Sequence, residues 1–159
     1  MDHARRRDLI ARYADGHRAV MDAVCGATDT ELDARPLDDA WTAREVVHHL
    51  ADSEMTSAIR LRRLIVEEAP IIDAYDEAAF ARRLRYGSRP VGAALDAISA
   101  ARRTTAEILD VLTEDEWSRA GTHSESGRYG VEDWLELYAA HAHEHAEQIR
   151  RARAARFPD

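Results

Sequence analysis

The stretch that decides the fold lies near the C-terminus: Trp134-Leu135-Glu136-Leu137-Tyr138-Ala139-Ala140-His141-Ala142-His143-Glu144-His145-Ala146-Glu147-Gln148-Ile149. On a helical wheel at about 100° per residue, Val131, Trp134, Leu135, Tyr138, Ala142 and Ile149 share one apolar stripe. His145 falls inside that stripe and His141 on its edge, one turn back, while His143 points the opposite way. Imidazoles at i and i+4 lie one above the other and can share a metal ion. His141 and His145 are therefore a candidate ligand pair, and His143 reads as a solvated surface residue. The competing reading of the pair is a core histidine bonded to a carboxylate.

Working outward, three more long helical patterns precede this one. They cover residues 4–24, 42–67 and 90–112, and the quoted stretch belongs to a fourth at 131–155. Thr42 with Glu45 makes a capping-box pattern, Pro90 suits a first turn, and Gly26 suits a helix stop. Two shorter helices are expected inside the connections, at 76–84 and 114–119, with a polar loop at 122–127. The fold class is thus all-α: a four-helix bundle with long connections and short extra helices in the loops, in a single domain over 1–159. Connections of this length permit crossovers, so the topology need not be up-and-down.

Composition narrows the function. The formal net charge is −8, which argues against nucleic acid as the main partner. No apolar run approaches the ~20 residues of a membrane span, and the basic N-terminus lacks the apolar core of a signal peptide. A cytoplasmic location with no membrane partner is the expectation. All 22 basic residues are Arg, so a lysine nucleophile or Schiff base is excluded. Arg5–Arg7 and Arg150, Arg151, Arg153 and Arg156 read as solvated helix ends. The single cysteine, Cys25, permits no internal disulfide and reads as a small buried apolar residue.

The second helix carries Val46-Val47-His48-His49-Leu50-Ala51-Asp52-Ser53-Glu54. Its stripe passes through Val46, Leu50, Leu61 and Leu64. His49 sits just beyond one margin and His48 further out, so periodicity leans to His49 without settling between them. Glu54 lies at the other margin, where burial would demand a partner. It is expected either to orient a ligand histidine or to pair with an Arg. His17 lies on the first helix's stripe and reads as a satisfied core histidine, with a fourth-ligand or supporting role as the alternative. His3 and His123 receive no role.

Trp41-Thr42-Ala43-Arg44-Glu45-Val46-Val47-His48-His49-Leu50 resembles the first signature of the DinB/YfiT-like family of metal-dependent enzymes, in which a Trp and a small hydroxyl residue open the second helix and a His-Leu pair follows. His141 to Ile149 resembles its second signature, H-x-x-x-H followed by x-x-Q-I. The resemblance covers nearly the whole chain. It implies a divalent metal inside a four-helix bundle, held by His49, His141 and His145, with His49 preferred over His48 because Leu50 follows it. The small Ala146 departs from the family's usual hydrophobic residue after the last His.

Three imidazoles leave coordination positions open, as in catalytic rather than structural zinc sites. Zinc is the expected ion, with nickel, iron, manganese or copper as competitors. An open metal brings the pKa of bound water near neutrality, and it can equally deprotonate a thiol. The resemblance implies a thiol S-transferase or isomerase that joins a low-molecular-weight thiol cosubstrate to a small electrophile. The alternatives are metal-hydroxide hydrolysis and a non-catalytic, metal-stabilised stress or interaction module. A homodimer is compatible with each. An enzyme should show a polar cleft at the metal face; a structural module should not.

Overall fold

The computed structural model describes residues 1–155, so Arg156 of the basic C-terminal cluster lies outside the described residues. In chain order the elements are α1 (His3–Val24), α2 (Asp29–Leu32), α3 (Ala43–Val66), β1 (Ile71–Ile72), α4 (Glu77–Arg83), a 3₁₀ turn (Tyr86–Ser88), α5 (Gly92–Leu109), α6 (Glu114–Trp117), β2 (Ala120–His123), β3 (Gly127–Gly130) and α7 (Val131–Arg153). The four long helices are those expected. No helix among the described residues is long and apolar enough to cross a membrane.

Local chemistry sets the helix starts. Thr42 accepts from Glu45 N at 3.2 Å, while Thr42 N donates to the Glu45 carboxylate at 2.8 Å. The same reciprocal box opens α2 at Thr28–Glu31 and α6 at Thr113–Glu116. At α7, Gly130 N donates to Asp133 Oδ2 at 2.7 Å. Each arrangement satisfies N–H groups that a helix N-terminus leaves free. Pro90 lies two residues before α5 begins rather than in its first turn.

α1 packs on α5 and α7, and α3 packs on the same two. The ring order is therefore α1–α5–α3–α7. The α1-to-α3 and α5-to-α7 connections cross the bundle diagonally, which an up-and-down bundle does not do. Two apolar clusters fill the interior. Val20, Val46, Leu50, Ile98, Ala142 and Ile149 belong to one; Tyr13, Leu61, Ala106, Trp134, Leu135 and Ala139 belong to the other.

One polar knot joins the four long helices near the meeting of the two clusters. Arg102 of α5 is fully buried. Its Nη1 donates to the buried Glu54 carboxylate of α3, its Nε to Tyr13 O of α1 at 2.8 Å, and its Nη2 to Tyr138 O of α7 at 3.0 Å. The guanidinium carbon lies 4.0 Å from the centre of the Tyr13 ring. Gly16 makes room for it, since a Cβ there would stand 2.6 Å from Arg102 Nη2 and 2.9 Å from Ala142 Cβ.

The structure corrects further expectations. The polar loop at 122–127 is part of a three-stranded sheet. β2 and β3 pair antiparallel, Gly121 opposite Tyr129 and His123 opposite Gly127, and β1 adds in parallel with Ile71 opposite Thr122. Four-residue strands rich in Gly show too little alternation to be read, and Gly127 turns the hairpin at φ +79°. Cys25 is exposed, because it caps α1 where Gly26 takes φ +67° and leads the chain off the packed face. Arg6 is buried rather than solvated, pairing with Glu114 at 2.6 Å and Glu132 at 2.8 Å. Arg153 is half-buried and donates to the final carbonyls of α1, at Ala23 and Cys25. Arg5, Arg7, Arg150 and Arg151 are exposed, as expected.

Removing one partner of a buried ion pair strands the other charge. Arg102→Met should therefore destabilise the protein by about 3–5 kcal/mol. Adding Glu54→Leu to that variant should recover a large part of the loss. Urea unfolding of the two single variants and the double variant measures both, and simple additivity would contradict the coupling.

Candidate metal centre

Helices α3 and α7 are neighbours in the ring, and the centre lies between them. His49 comes from α3, three residues after the buried Val46 and beside Leu50. His141 and His145 come from α7, one turn apart. One nitrogen from each ring lies within 4.8 Å of the other two. The ring centroids are 4.5 Å apart for His141–His145, 4.9 Å for His49–His145 and 5.8 Å for His49–His141. All three candidates named from the sequence are thus brought together.

Each ring is held from behind. The Trp41 ring lies 4.9 Å from that of His49 and Tyr138 lies 5.4 Å from His141. His145 Nδ1 donates to Gln148 Oε1 at 2.7 Å, which leaves Nε2 as its free nitrogen. Metal-bound imidazoles usually make such an outer hydrogen bond, which fixes the tautomer and aims the ring. Gln148 stands in the motif quoted above, yet its orienting role was not drawn from it. The i+3 spacing on a helix was the available signal.

The other histidines are accounted for separately. His48 is buried too, but its Nε2 donates to Arg89 O at 3.1 Å and its ring stacks on Tyr86 at 5.7 Å. It secures the connection before α5. His143 is half-buried rather than solvated, and its Nε2 donates to Arg12 O of α1 at 3.0 Å. His17 is half-buried and donates to Ala14 O at 2.7 Å, so it is satisfied within its own helix. Glu54 pairs with Arg102, which fulfils the second of the two expectations for it.

The Nδ1 atoms of His48, His49 and His141 are buried with no hydrogen-bond partner among the described residues, and those of His49 and His141 belong to the cluster. Such atoms are exceptional in a folded protein and point to an ion or water. Burial, reinforced by the neighbouring His145, lowers His49 to about 4. Burial, then His145, His49 and Arg102, lowers His141 to about 3. Neutral imidazole is the form that ligates, so these residues fit a divalent cation.

His141 also lines a cleft of about 260 Å³, whose other walls include Ser53, Arg60, Tyr75, His123 and Tyr138. The cleft is polar, as an enzyme's metal face should be. Sequence reasoning missed it because the connections supply much of its lining: Tyr75 follows β1, and His123 ends β2.

The DinB superfamily model matches residues 12–149. This chain belongs to the DinB superfamily. Among similar DinB-like proteins is one from Oceanobacillus iheyensis named "Putative metal-dependent hydrolase", 33% identical over 142 residues that cover 89% of this chain and 82% of that one. Bacillus subtilis YfiT carries the same name and is 34% identical over 123 residues, 77% of this chain and 69% of YfiT. A solved structure of YfiT, described as "a probable metal-dependent hydrolase with an unusual four-helix bundle topology", matches with a TM-score of 0.88 at 30% identity. It covers 94% of this chain and 86% of YfiT.

Two outcomes are expected. Zinc binding, measured by metal analysis after loading, should fall sharply in His49→Ala, His141→Ala and His145→Ala, and by about 10–100-fold in Gln148→Leu. His48→Ala and His143→Ala should keep the metal, and equal loss from His143→Ala and His145→Ala would overturn the face assignment. The second outcome concerns acid. Depressed histidine pKa values mean that the unfolded chain, with values near 6.5, binds more protons than the folded one. Metal-free protein should therefore lose stability as pH falls below about 6.5 toward 4 and 3. Urea midpoints against pH should slope less steeply in the His49→Gln, His141→Gln double variant.

Proposed function

We propose that the protein is a metal-dependent hydrolase of a small molecule, with His49, His141 and His145 holding one divalent ion, zinc first among the candidates. The observation that carries this reading is that His141 belongs both to the histidine cluster and to the wall of a polar cleft. A divalent ion held by these residues would acidify a bound water or thiol. Everything else is the work of the chain. Burial keeps His49 and His141 unprotonated, and Gln148 aims His145. Trp41 packs against the ring of His49, and the cleft reaches His141. The names of the relatives support hydrolysis over the thiol transfer expected from the sequence resemblance.

Thiol transfer is retained as the second reading, because the same open face would accept a cosubstrate sulfur. Zinc-loaded protein should cleave members of an ester and amide panel without added thiol, and His145→Ala should not. Turnover only when thiol is supplied, with a sulfur-to-metal charge-transfer band in the cobalt-substituted protein, would replace hydrolysis by transfer. Metal bound without turnover under either condition would favour the non-catalytic module.

A further inference from the structure

Arg60 stands in the cleft wall without the partner its neighbours have. Arg63 on the same helix pairs with Glu67, and Arg102 across the bundle pairs with Glu54. Among the described residues, the hydrogen bond recorded for Arg60 goes from Nη2 to Asp73 O, a backbone carbonyl, and no carboxylate forms an ion pair with it. A guanidinium carries five N–H donors, so most of this fork is uncommitted.

The surrounding groups are hydroxyls, each able to donate one hydrogen bond as well as to accept. Tyr75 lines the cleft with its ring centre 5.7 Å from the Arg60 guanidinium carbon, and its hydroxyl is buried with no hydrogen-bond partner among the described residues. Burial and then Glu77 push the Tyr75 hydroxyl up to about 12, while Ser53 and Arg60 pull against the rise. The Tyr138 hydroxyl is also raised by burial and is opposed by the same Arg60 and Ser53. One guanidinium, which can only donate, and three hydroxyls therefore share one neighbourhood, and His141 is on the same wall.

An excess of donors calls for a ligand rich in acceptors. The planar fork of an arginine matches a carboxylate through two parallel hydrogen bonds. The rim carries the opposite sign, because Glu77 and Glu125 are exposed there without ion-pair partners among the described residues. Two acids at the mouth repel a phosphate dianion more than a monoanion. At about 260 Å³, the space suits a small substrate.

We propose that Arg60, flanked by Ser53, Tyr75 and Tyr138, anchors the carboxylate of a small monocarboxylate substrate beside His141. The role of this anchor rests on the metal-dependent reading above, but its binding chemistry does not. The full-length protein is titrated with benzoate, benzamide and inorganic phosphate, with and without zinc, following the Arg60 Nε–H resonance. Benzoate should saturate the signal in both states, with benzamide and phosphate each about 10-fold weaker or worse. Arg60→Gln, followed through tyrosine ring resonances, should weaken benzoate by about 10-fold. Tyr75→Phe, which removes one hydroxyl and keeps the ring, should weaken it by about 5-fold. His145→Ala should retain benzoate binding while losing zinc, which separates failure of the anchor from failure of the metal centre. Equal affinity for benzoate and benzamide, a preference for phosphate, or unchanged benzoate affinity in both anchor variants would overturn the assignment.

Discussion

The fold depends on one buried cation. Arg102 reaches a carboxylate on α3 and backbone carbonyls on α1 and α7, so a single side chain of α5 touches every other helix of the bundle. Apolar packing alone is tolerant of rotation and sliding, because many arrangements bury similar area. Hydrogen bonds to a buried charge are not tolerant, since losing one leaves an unpaired group in a dry interior. The knot thereby fixes the rotation and height of four helices at one level. Gly16 belongs to the same constraint, as any larger residue would push α1 away from Arg102 and Ala142.

That constraint carries over directly to the histidines. Glu54 follows His49 by five residues on α3, and Tyr138 precedes His141 by three on α7. Both helices are thus pinned within about one and a half turns of the cluster, on the rise of 1.5 Å per residue. A metal centre built on two helices needs exactly this kind of support, because a displacement of about an ångström spoils ligand geometry. The charge of Arg102 contributes as well, since it helps keep His141 unprotonated.

The bundle and the histidine cluster were legible because helical periodicity is a strong signal over twenty residues. His141 and His145 share a face by arithmetic, and the capping box at Thr42 marks where α3 begins. The choice between His48 and His49 was not settled by periodicity, because both rings are buried in the structure. They differ in what they meet, a backbone carbonyl from the next connection or two imidazoles from α7. Such partners are tertiary facts. Arg6, Arg102 and Arg153 were unreadable for the same reason. An arginine buried against carboxylates or carbonyls looks, in sequence, like any solvated arginine.

The division of labour within the molecule follows from this contrast. The bundle supplies precision, and its long periodic helices hold the histidines. The connections supply the cleft beside them. Pairing of β1 with β2 brings the segment after α3 to the segment before α7, and Arg89, Tyr86 and His48 anchor the chain before α5. Gly121 lets the Pro70 backbone approach, since a Cβ there would lie 2.2 Å from Pro70 O. Tyr75 and His123 are placed by that pairing. Connections tolerate change better than packed helices do, so a bundle of this kind can keep its histidine cluster while the groups lining the cleft vary.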